Sequence, residues 1–170
     1  MSKGNLYWIT GLSGAGKTTI GTLLYEYLKS KKDNVVFIDG DKTREVFQNK
    51  DYSEDGRRKQ TYMNRNLCKL LTDQGIDVII AVIGMRHEYR EWNRKNIQNY
   101  FEIYLHVPIE ILIKRDSKKI YSRAVRHELT NVYGIDMPYE EPQNPDIRIC
   151  NDSVLTPKEV CEAIVRELEL

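Results

Sequence analysis

Short apolar runs alternate along the chain with longer stretches of helical periodicity. The first run, Leu6-Tyr7-Trp8-Ile9, leads into a glycine-rich turn, after which Ile20, Leu23, Leu24 and Leu28 recur at helical spacing. Val35-Val36-Phe37-Ile38 predicts a second strand, bounded by the turn-prone 31–34 stretch and by Asp39-Gly40-Asp41. A helix over 59–74 offers Met63, Leu67, Leu70 and Leu71 as its apolar face and stops before Gly75. Residues 78–83 are almost uniformly apolar, as a strand covered by helices on both faces must be. A fourth strand is expected over 101–107, with Pro108 opening a short helix through Ile113, and a last strand at 147–150. Thr156-Pro157-Lys158-Glu159 has the capping-box pattern with Pro at the first helical position, so a C-terminal helix starts there. Strands alternating with helices predict an α/β fold: one five-stranded parallel sheet with helices on both faces. The 170 residues suit a single domain. Residues 115–145 break the pattern, with many charges, three tyrosines and three prolines. That is too long for a passive connection and predicts a lid over a substrate.

Composition narrows the partners. Lys plus Arg number 26 against 25 Asp plus Glu, a net charge of +1, which argues against a general nucleic-acid binder and makes any anion recognition local. Mean hydropathy is −0.56 and no apolar run approaches the ~20 residues of a membrane span. The start, MSKGNLYWIT, lacks the apolar stretch of a signal peptide. Cys68, Cys150 and Cys161 are odd in number and widely spaced, as reduced thiols are. A cytoplasmic protein without membrane or nucleic-acid partners is the expectation. His87, His106 and His127 lack metal-ligand spacing.

Gly11-Leu12-Ser13-Gly14-Ala15-Gly16-Lys17-Thr18 fits GxxxxGK(S/T) at every fixed position, with a strand before it and a helix after. Glycines let several backbone N–H groups converge on one anion, and the helix start adds positive potential. Lys17 is expected on the β/γ-phosphates of a bound triphosphate and the Thr18 hydroxyl on Mg²⁺. A guanine-reading NKxD tetrad is missing, since Asn49-Lys50-Asp51 is followed by Tyr52. The acid that a motor ATPase carries at the end of a separate buried strand is missing too, because 78–83 runs into Gly84. The acids close the second strand instead, at Asp39 and Asp41. A short chain with that pair and a basic late segment predicts a P-loop kinase of a small molecule, which must exclude water or hydrolyse its ATP.

GLSGAGKTT at 11–19, DGDKTR at 39–44, Val107-Pro108-Ile109-Glu110 with Lys114-Arg115-Asp116 beyond it, and YGIDMPYEEP at 133–142 together resemble the adenylylsulfate (APS) kinase family across nearly the whole chain. The resemblance implies ATP-dependent phosphorylation of a nucleotide ribose 3′-hydroxyl, with Mg²⁺. By position, Asp41 would orient or deprotonate the attacking hydroxyl and Lys118 would sit in the closing lid. Residues 11–18 with Thr19 and Arg115 would serve ATP. Asp39, Asp41, Arg44, Tyr52, Arg57, Gln60, Ile83, Gly84 and Val132 would surround the acceptor. A homodimer is common in the family. Plainer roles stand beside these: Asp41 as a helix cap, Arg44 and Arg57 as solvated charges, and Tyr62 and Met63 as helix packing.

Departures from the family pattern cluster around the acceptor. Aromatics on both faces of an acceptor adenine become Tyr52 and Val132, an Asn becomes Gln60, a Ser-Pro-aromatic-Arg turn becomes Gly84-Met85-Arg86-His87, and a lid Lys becomes Thr130. Losing one stack forfeits ~0.5–1.5 kcal/mol and weakens the case for adenine. The resemblance is therefore greater to the branch that phosphorylates cytidine diphosphoramidate for capsular polysaccharide phosphoramidate, with adenylylsulfate as the alternative acceptor. Gly84 has no hydroxyl to carry a phosphoenzyme, which leaves direct in-line transfer. A non-catalytic nucleotide-binding module and a kinase of RNA or DNA ends are the competing classes. Intact Lys17, Thr18 and Asp41 count against the first, and the charge balance against the second.

Overall fold

The computed structural model describes residues 2–116 and 118–170. Five strands form one parallel sheet: β1 (Asn5–Thr10), β2 (Val35–Asp39), β3 (Asp77–Val82), β4 (Asn99–His106) and β5 (Ile147–Cys150), in the order β2-β3-β1-β4-β5. Leu6 pairs with Val78 on one side of β1 and with Tyr100 on the other, so the most apolar strands lie inside the sheet. Alternate side chains serve two cores. Tyr7, Ile9, Ile79 and Leu105 pack beneath Ile20 and Leu24 of α1 (Lys17–Lys29) and Val160 and Ile164 of α7 (Pro157–Glu167). Leu6, Trp8, Val78 and Ile80 face Cys68 of α3 (Glu54–Asp73), with Trp92 of α4 (His87–Asn96) closing that side. The connection leaving β1 covers one face and that leaving β3 covers the other, which opens a crevice at the carboxyl ends of the strands.

The capping box opens α7 as expected: Thr156 Oγ1 accepts from Glu159 N and Glu159 reaches back to Thr156 N. The apolar face expected of the third helix is corrected. It begins five residues earlier, where Ser53 Oγ accepts from Gly56 N, and its buried line is Gly56, Gln60, Thr61, Asn64, Cys68 and Thr72. Leu70 is 58 % exposed. The N-terminal half of this helix faces a polar crevice, so its buried side chains are amides and hydroxyls that apolar periodicity does not detect, while Cys68 and Leu71 farther along pack on the core. Three helices without an apolar signature also form: α2 (Gly40–Val46), α4, and α6 (Ile120–Val125) within 115–145. The fifth strand's predecessor leads through Pro108 into α5 (Ile109–Arg115).

Candidate active site

The crevice holds a cavity of about 350 Å³ whose lining includes Lys17 and Thr18 of the phosphate loop and Gly84 and Tyr89 beyond β3. The phosphate loop is shaped from within. Gly16 has φ +90 at the cap of α1, and a Cβ there would meet Asn151 Nδ2 at 2.6 Å, the same amide that holds Ala15 O at 2.8 Å. Leu12 and Ala15 are buried and anchor the loop, while Ser13, Gly14, Gly16, Lys17, Thr18 and Thr19 line the cavity. Gly11 lies behind them, buried. Lys17 Nζ donates to Leu12 O at 2.7 Å. Burial and the nearby Lys118 push its pKa down to about 8, against the pull of Asp41 and Asp39.

Asp39 ends β2 and caps α2. Its Oδ1 accepts from Asp41 N at 2.8 Å and its Oδ2 from the Thr18 hydroxyl at 2.7 Å. The cap position therefore belongs to Asp39, and the Asp41 side chain is free for another partner. That partner is Lys118, whose Nζ lies 2.6 Å from Asp41 Oδ2. Against desolvation, Lys118, with Lys17 and Arg44, holds the Asp41 carboxyl below its usual range.

Arg44, Arg57, Gln60, Ile83 and Gly84 line this cavity, and Tyr52 and Val132 line an adjoining cleft. Asp41, Arg44, Arg57, Lys118 and Tyr133 border both spaces, so the two communicate there. Arg57 ties the cleft to the 115–145 segment. Its Nε donates to Tyr52 O at 3.0 Å and its Nη2 to Asn131 O at 2.6 Å, with the guanidinium 4.7 Å from the Tyr133 ring centre. Arg44 stacks 4.3 Å over the half-exposed Tyr52 ring and donates to Asp51 O. Within that segment the turn at 131–136 is held by Asp136, which accepts from Asn131 N and Val132 N. The segment's first helix is held by Tyr121, whose hydroxyl donates to Ser13 O at 2.8 Å.

Arg115 stands apart from both spaces. Its Nη2 donates to Asn151 O at 2.9 Å and Ser153 Oγ at 2.6 Å, so it supports the loop behind the phosphate site. Gln60 lines the cavity with its amide already engaged by Asn49, Thr43 and Asn64. Sequence reasoning missed Thr61, Asn64, Tyr89 and Tyr133. Asn64 lies one helical turn beyond Gln60 and two beyond Arg57, a spacing that could have found it; Tyr89 carried no signal at all.

A triphosphate cradle, a carboxylate that is not consumed by capping, cations and a covering segment meet around one cavity, and phosphoryl transfer to an alcohol needs each of them. The molecule is a P-loop kinase. The model of the adenylylsulphate kinase family matches residues 3–150, and the chain belongs to that family. It is 40 % identical over 170 residues to the cytidine diphosphoramidate kinase of Campylobacter jejuni subsp. jejuni serotype O:2, covering 99 % of each chain. It is 36 % identical to a probable adenylyl-sulfate kinase of Pyrococcus abyssi, over 97 % of this chain and 95 % of that one. The Mycobacterium tuberculosis APS kinase in complex with AMPPNP and APS superposes with a TM-score of 0.91 at 29 % identity, over all of both chains. The protein is thus an ATP-dependent nucleotide kinase, a phosphotransferase with an alcohol acceptor.

Proposed function

We propose that the protein transfers the γ-phosphoryl group of ATP to the ribose 3′-hydroxyl of cytidine diphosphoramidate. The observation that carries this is the base cleft: Tyr52 offers one half-exposed ring, and the side chain at 132 is a buried valine. A single platform suits a small base better than a purine that needs both faces stacked. The similarity to the Campylobacter enzyme supports the same acceptor. Adenylylsulfate is the second reading, favoured by the other family members.

In the proposed reaction the 3′ oxygen attacks the γ-phosphorus, the bond to the bridging β-γ oxygen breaks, and ADP leaves. Asp41 orients the hydroxyl and accepts its proton. Lys17 balances the β/γ-phosphate charge, and Lys118, paired with Asp41 before the ligands arrive, follows the transferring group. Gly84 offers no hydroxyl, so transfer is direct. Thr18 and Asp39, a hydroxyl and a carboxylate 2.7 Å apart beside the phosphate loop, fit Mg²⁺ and would hold it. When bound, that ion supplies charge neutralisation at the phosphates.

A cytoplasmic setting and a role in capsule phosphoramidate belong to the same proposal. Among the described residues no helix is long and apolar enough to cross a membrane. The homodimer rests on family likeness and is tested by light scattering. The deciding assay is ADP release with cytidine diphosphoramidate and adenylylsulfate in parallel. A higher kcat/KM for the cytidine compound is expected. Ordinary enzyme turnover of adenylylsulfate, about 10⁴ M⁻¹s⁻¹ or above, with none of the cytidine compound would reverse the assignment.

A further inference from the structure

Two buried polar side chains that line the cavity keep hydrogen-bonding groups unused among the described residues. Asn64 and Tyr89 line it while each is only 2 % exposed. The orientation of the Asn64 amide follows from a chain of neighbours. Asp51 N, which can only donate, gives its hydrogen to Asn49 Oδ1 at 3.0 Å. Asn49 therefore turns Nδ2 toward Gly56 O at 3.0 Å and Gln60 Oε1 at 3.1 Å. Gln60 in turn presents Nε2 to Thr43 Oγ1 at 3.1 Å and to Asn64 Oδ1 at 3.2 Å. The last link engages the Asn64 oxygen and leaves two N–H donors on Nδ2 that make no hydrogen bond among the described residues, in a side chain that lines the cavity.

Tyr89 is similar. Its ring meets Tyr62 edge-on, at 6.4 Å and 87°, and its hydroxyl makes no hydrogen bond among the described residues while the residue lines the cavity. Burial pushes its pKa up to about 12, so the hydroxyl stays neutral and can donate or accept. The neighbouring carbonyls already accept: Ile83 O from the Thr10 hydroxyl and Gly84 O from Arg90 Nη1. Both groups belong to residues that line the cavity, so a bound ligand can pair with them in place of water.

The direction of the acceptor fits. With the ribose hydroxyl at Asp41 and the base beside Tyr52 and Val132, the 5′ chain passes Arg57, which borders both spaces, and enters the part of the cavity that Asn64 and Tyr89 close. We propose that Asn64 and Tyr89 are specificity-determining residues that bind the terminal group of the acceptor's 5′ chain, a tetrahedral centre bearing both oxygens and an N–H. Asn64 Nδ2 donates to an oxygen and Tyr89 Oη accepts from the nitrogen. This rests on the nucleotide-kinase reading above and deepens it.

The test uses Tyr89→Phe and Asn64→Ala with cytidine 5′-monophosphate, cytidine 5′-diphosphate and cytidine diphosphoramidate at saturating ATP. Each substitution is expected to lower kcat/KM for the diphosphoramidate about tenfold, the loss of one hydrogen bond. The KM for ATP, and turnover of the monophosphate that lacks the terminal group, should not change. Equal losses on all three acceptors indicate a merely structural role and overturn the proposal, as does an unchanged preference. If Asn64→Ala, which opens a buried network, fails to fold, Tyr89→Phe decides alone. If the wild-type protein uses adenine but not cytidine nucleotides, the cytidine reading falls, and Asn64→Ala is judged on adenylylsulfate against AMP. Turnover of neither series sinks both.

Discussion

Asp41→Asn isolates the chemistry from the fold. The Asp39 carboxylate, not that of Asp41, caps α2, so the substitution leaves the helix start intact. Its ion pair with Lys118 joins side chains that are 67 % and 54 % exposed, and such pairs are worth about 0–1 kcal/mol. The carboxyl is held below its usual range, so this contribution is present above the ordinary carboxylate pKa and is lost as the pH falls through the lowered one. At pH 7.5 the variant should therefore melt within about 4 °C of wild type, since 1 kcal/mol shifts Tm by about 2–4 °C in a chain this size. Catalysis is a different matter. An amide can neither take the hydroxyl proton nor balance Lys118, and loss of a positioned base removes about two to four orders of magnitude. Coupled ADP release at saturating ATP, with differential scanning calorimetry on the same samples, measures both quantities. A kcat within a few-fold of wild type, or a large fall in Tm with kcat intact, would refute the assignment and return Asp41 to a structural role.

Three further outcomes follow from the same geometry. Burial pushes the Lys17 pKa down to about 8, and a bound triphosphate favours its charged form; ATP binding at pH 8 should take up protons. Calorimetry in two buffers of different ionisation enthalpy measures that uptake, Lys17→Ala should abolish it together with turnover, and a buffer-independent heat contradicts it. Gly84→Ser should cost roughly 1–2 kcal/mol, because φ is +51 and the new Cβ would meet buried Trp8 Nε1 at 3.1 Å; an unchanged melting curve speaks against it. Val132→Phe should strengthen adenine-nucleotide binding by about 1 kcal/mol through one restored stack, read by titration in the presence of ADP, and no gain would mean that the cleft does not hold the base.

Local signals in the sequence determined the strands, the phosphate loop and the capping box of α7, because each depends on residues within a few positions of one another. Glycines at 11, 14 and 16 followed by Lys17 and Thr18 specify an anion cradle wherever they join a strand to a helix. Family likeness then named most of the acceptor side. Tertiary structure decided the rest. Asp41 meets Lys118 across 77 positions and Arg57 meets Asn131 across 74, distances at which periodicity carries no information. The buried face of α3 escapes apolar periodicity because the helix buries Gln60, Thr61 and Asn64 toward the crevice, with hydrogen bonds along the helix and from Gln60 to Thr43 and Asn49 in place of apolar packing. For the same reason α2 and α4, which present polar residues to the site, left no apolar stripe, and Tyr89 emerged only once α4 was folded against the crevice. Arg115, which the family resemblance assigns to ATP, bonds Asn151 O in the fold, and only the packed chain shows which carbonyls lie within reach of its guanidinium.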